Sequence, residues 1–126
     1  MVTNVFWIAA ALMAFITFAV HTFVGTRYAV PALVGAGATL PKATIWLNYI
    51  CWHIVTGVLF ILATCIAAVA MGRLSADVIL PCGAAFAWIS VMSIFTTLKA
   101  GIPILRFPAN YLGGTTALLA LLGSLK

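Results

Sequence analysis

Apolar residues along the chain recur at helical rather than strand spacing and gather into four runs: 5–24, 45–71, 78–98, and a shorter one over about 108–125. A membrane-crossing helix needs about 20 predominantly apolar residues, so each run predicts a span or nearly one. The expected fold is all-α: a polytopic membrane protein folded as a single antiparallel bundle of four transmembrane helices.

Projected at 100° per residue, each run divides into a small or polar stripe and a bulky one. Span one sets Ala10, Ala14, Thr17, His21 and Gly25 against Val5, Leu12, Ile16, Ala19 and Phe23. Span two sets Tyr49, His53, Thr56, Gly57, Phe60, Thr64 and Ala67 against Cys51, Val55, Val58, Leu62, Cys65 and Val69. Span three carries Gly83, Ala87, Ser90, Ser93 and Thr97 opposite Trp88, Met92 and Phe95. Span four carries Asn110, Gly113, Thr116, Ala117, Ala120 and Ser124 opposite Tyr111, Leu118, Leu119 and Leu122. In a bilayer, small and polar faces turn toward other helices and branched aliphatic faces toward lipid. Both histidines are thus expected to point into the bundle, with Gly57 and the Gly113–Ala117 small-xxx-small pair as helix contacts.

The connections refine this picture. The segment from Thr26 to Lys42 holds Pro31, Gly35, Gly37 and Pro41 yet is nearly all apolar between its basic ends. It is expected to be an irregular loop in the headgroup region or against the bundle. Trp7 and Tyr28 have the placement of interfacial anchors, and Ser75 that of a weak helix cap before span three. Gly101, Pro103 and Pro108 stop one helix and start the next.

With 66% apolar residues and 6% charged, the chain lies far from soluble-domain composition. Six Lys and Arg stand against one acid, Asp77. The excess reads as topology rather than as nucleic-acid binding: Arg27, Lys42, Lys99 and Arg106 flank one side of the spans, Arg73 and Lys126 the other. The positive-inside rule then puts both termini on the outer side of a bacterial inner membrane or a mitochondrial one. The three cysteines, Cys51, Cys65 and Cys82, show no metal-ligand or CxxC spacing and read as small apolar fillers.

Counting back from the flanking charges, His21 lies roughly 9 Å and His53 roughly 16 Å from the basic surface. Tyr49, Thr17, Ser90, Ser93 and Asn110 share or adjoin that layer, so these seven residues form the candidate ligand or proton site. Two imidazoles could ligate haem b axially, or serve a quinone or proton pathway; alternatively, neutral histidines hydrogen-bonded to neighbours simply hold helices together. No metal site is expected, and no cofactor is required. With neither Glu nor Gln and with one loop Asp, paired-carboxylate and triad chemistry have no material.

Three stretches, FAVHTFVG closing span one, YICWHIV within span two and PANYLGGTTALLALLG across span four, resemble the small four-helix integral membrane family of unknown function found in bacterial inner membranes, with eukaryotic transmembrane relatives. The resemblance implies four spans, with His21, His53, Gly113 and Gly114 as recurrent positions, and implies no reaction. The functional expectation is therefore a non-catalytic membrane protein, an accessory or assembly subunit of a larger complex or a homo-oligomer, whose partners are lipid and other membrane subunits.

Overall fold

A computed structural model describes residues 4–35 and 39–125 of the chain, and all regular structure among them is helical. Helix α1 (Val5–Ala19) runs through a π turn (Val20–Gly25) into α2 (Thr26–Gly35), making one rod. Helix α3 (Lys42–Ala70) returns, and a 3₁₀ turn (Ala76–Val78) leads into α4 (Ile79–Lys99). A second 3₁₀ turn (Ile104–Arg106) precedes α5 (Ala109–Ser124).

Three rods are long and apolar enough to cross a membrane: Val5–Gly35, Lys42–Ala70 and Ala76–Lys99. At 1.5 Å per residue they measure about 46, 44 and 36 Å. Helix α5, with 16 residues, measures about 24 Å, short of the roughly 30 Å hydrocarbon core.

Helix α1 lies between α3 and α5, and α4 packs on α5, while α3 and α4 touch lightly. The small stripes on α1, α4 and α5 fall where expected. Ala10, Ala14 and Thr17 are buried, as are Gly83, Ser90, Thr97, Asn110, Gly113, Thr116 and Ala120. They let backbones close up: a Cβ at Gly113 would stand 2.7 Å from the Phe86 carbonyl oxygen. The core then fills with Leu59, Ile66, Ile79 and Phe86 against these alanines.

The two ends of the rods are tied differently. At one end Asn4 caps α1 by accepting from the Phe6 amide at 3.1 Å, and its Nδ2 donates to the Gly123 carbonyl at 2.7 Å. This joins the start of α1 to the end of α5. Trp7 packs on Gly123 there. Ser75 does cap the short turn before α4, accepting from the Asp77 amide.

Two expectations fail. The segment after span one is helical through Gly35 instead of an irregular loop, with Pro31 inside it; the apolar run Ala29–Val34 continues the helix, and Pro31 forgoes a single backbone bond. Gly37 lies outside the described residues. The second correction concerns α3, whose inward face is Ile45, Trp52, Leu59, Ala63, Ile66 and Val69, while His53 and Gly57 are exposed. A small-residue stripe on α1 is already present, and packing pairs it with bulk from α3 rather than with a second small stripe.

Candidate functional site

The predicted site residues separate into three places. Ser90, Ser93 and Asn110 come together as a clamp between α4 and α5. Asn110 is buried, and its Oδ1 accepts from Ser93 Oγ at 2.6 Å and from Thr97 Oγ1 at 3.3 Å. Its Nδ2 donates to the Ile104 carbonyl at 2.7 Å, and its own carbonyl accepts from Ser90 Oγ. With both oxygens engaged, this amide holds the α4–α5 turn closed. It has little left to offer a ligand.

Tyr49 and His53 form a second place, on the outer side of α3. Their rings meet edge to face with centroids 4.5 Å apart. His53 is exposed there, and among the described residues nothing beyond the local helix backbone would lie within 4 Å of a Cβ at Gly57, one turn farther on.

His21 and Thr17 belong to the third place. The His21 ring stacks on the indole of Trp52, centroids 4.1 Å apart and planes 17° off parallel, and its Nε2 lies 3.4 Å from the Trp52 carbonyl. A carbonyl can only accept, so Nε2 carries the proton in this contact. Trp52 Nε1 in turn donates to Thr26 Oγ1 at 3.0 Å. The ring edge reaches Gly25 so closely that a Cβ there would stand 2.7 Å from it. The π turn explains the fit: its extra residue widens the helix where the indole enters.

Beside this stack lies a cleft of about 340 Å³, bounded by the π turn, α3, α4 and the start of α5. Val24, Val55, Leu59, Ile89 and Leu112 supply apolar walls, Thr17 turns its hydroxyl back to the Met13 carbonyl, and Arg106 stands at one edge. No protein-family model, curated protein or solved structure matches the chain.

The two imidazoles do not converge, because His21 faces α3 while His53 looks away from the other helices. An axial pair on one iron, or a proton path through both, is thus not assembled within one chain. Among the described residues no group of three His, Cys, Asp or Glu gathers that could hold a metal ion. Cys51 is exposed and Cys82 buried.

Sequence reasoning missed Trp52, Thr26 and Arg106 as members of the His21 locality. One signal was legible: Gly25 sits on the His21 stripe one turn on, and a glycine facing inward from a helix leaves room for a large ring opposite.

Proposed function

We propose that the chain is a non-catalytic integral membrane protein with four crossings that works by helix packing, as an accessory or assembly subunit of a larger membrane complex or as a homo-oligomer. The observation that carries this reading is the outer face of α3. There His53 and Gly57 are exposed amid Leu47, Ile50, Ile54, Val58 and Ile61. An imidazole is costly against acyl chains, and an open glycine notch is where another helix can come close. A neighbouring membrane helix answers both.

Membrane residence is supported by the exposed surface itself. Large apolar side chains cover the outside of every rod, Leu12 and Phe23, Ile54 and Ile61, Trp88 and Phe95, Leu118 and Leu121 among them. In water such faces would be buried. A crossing by α5, despite its length, is supported by its ties at both ends of the rods: Gly123 to Asn4, and Asn110 to Ser93. Lys42, Lys99 and Arg106 are exposed at the helix ends and turn on one side, Arg27 is exposed within α2, and Arg73 is exposed in the turn on the other side; Lys126 lies outside the described residues. A bacterial inner membrane or a mitochondrial one suits this arrangement, and the scattered cations present no stripe for nucleic acid.

The test is gentle solubilisation from native membranes followed by size analysis. We expect a particle larger than the monomer that Gly57→Leu or His53→Leu reduces to monomer without changing helicity. A stable monomer with no co-purifying protein refutes the proposal.

A further inference from the structure

The cleft beside the His21–Trp52 stack has features that helix packing does not use. Four residues of the π turn, Val20, His21, Val24 and Gly25, line it, and π turns are rare within helices and frequently sit at functional positions. Its volume of about 340 Å³ falls within the range of small-ligand sites. Its walls are mostly apolar, with Thr17 and His21 among them, so hydrocarbon suits the bulk of the space.

The rim is different in kind. Arg106 lies on the 3₁₀ turn before α5, exposed, at the edge of the cleft. The chain's one acid, Asp77, lies beside Leu80, Trp7 and Gly123 at the opposite end of the rods. Arg106 therefore has no side-chain carboxylate to pair with among the described residues, and neither do Lys42 and Lys99. A guanidinium beside an apolar slot matches a negatively charged oxygen head carried on a hydrocarbon tail, and Arg binds phosphate oxygens through two parallel N–H donors.

We propose that this cleft holds one acyl chain of an anionic phospholipid, with its phosphate outside on Arg106. The phospholipid is favoured over a free fatty acid because Arg106 is exposed: the head stays in the surface layer while the tail alone enters. The inference rests on the membrane reading above.

The experiment uses the full chain with Trp7, Trp46 and Trp88 replaced by Phe, leaving Trp52 as the only indole. It is reconstituted in phosphatidylcholine vesicles containing increasing fractions of phosphatidylglycerol brominated on one acyl chain. Bromine quenches indole fluorescence on contact. We expect quenching that saturates at low mole fraction, a half-saturation raised roughly tenfold by Arg106→Gln, the size of one charge-assisted hydrogen bond, and loss of the saturable part in Val55→Phe, which fills the slot.

Equal quenching by brominated phosphatidylcholine, insensitivity to both substitutions, or saturation by a brominated fatty acid alone overturns the proposal. Resistance of the reconstituted protein to carbonate extraction is measured in parallel. Failure to insert sinks the membrane reading, whereas insertion without saturable quenching sinks the lipid site alone.

Discussion

Replacing Gly113 by Ala adds one methyl group to α5 where it meets α4. The new Cβ would stand 2.7 Å from the Phe86 carbonyl oxygen and 3.4 Å from Ser90 Cβ. A carbon rests about 3.3 Å from such an oxygen, so the two backbones must part by about 0.6 Å. Neither atom is the loose end of a side chain, so the helices themselves move.

One turn earlier on α5, the Thr97–Asn110 contact, already 3.3 Å, would then exceed hydrogen-bonding distance. Overpacking of this kind costs about 1–3 kcal/mol. The alanine returns about 1 kcal/mol in helix propensity, leaving a modest net loss of about 0–2 kcal/mol.

Gly57→Ala isolates the packing term, since it is also mid-helix and meets nothing within 4 Å. In detergent that holds the monomer, it shares the propensity gain without the clash. The two variants should therefore differ by about 1–3 kcal/mol, read from denaturant midpoints by circular dichroism. Equal midpoints would refute the close approach of α4 and α5 and, with it, the reading of Gly113 as a contact between backbones.

Asn110→Ala should destabilise the monomer by about 1–3 kcal/mol by leaving buried partners unpaired, while a double-mutant cycle with Ser93→Ala should return a coupling of about 0.6 kcal/mol, typical inside membranes; zero coupling would remove the clamp. Trp52→Phe breaks the bond to Thr26, whereas Trp7 Nε1 is buried with no hydrogen-bond partner among the described residues, so Trp7→Phe should lower the unfolding midpoint less; the reverse order would contradict this assignment of the two indoles. If α5 crosses the bilayer, tags on the two termini are cleaved by protease from the same side of sealed vesicles, and cleavage from opposite sides would leave three crossings.

The helices themselves were legible from the chain because burial on a helix obeys a period, and on α1, α4 and α5 the small residues recur on one face. Those faces needed no partner to be identified: Ala10, Ala14 and Thr17 lie one or two turns apart, as do Ser90 and Thr97, and each set is buried. The same rule misplaced α3. Whether a small or a bulky face turns inward depends on the surface it meets, and the space at Gly25 is filled by Trp52 from another rod.

His53 was thereby turned outward although it adjoins Trp52 in sequence, because neighbouring residues on a helix point about 100° apart. Asn110 is buried, as its face of α5 predicts, but its role as a clamp depends on where Ser93, Thr97 and the Ile104 carbonyl come to lie. Periodicity is a property of one strand of chain and can be read along it. Size matching and hydrogen-bond satisfaction are properties of two surfaces, and they exist only once the rods have met.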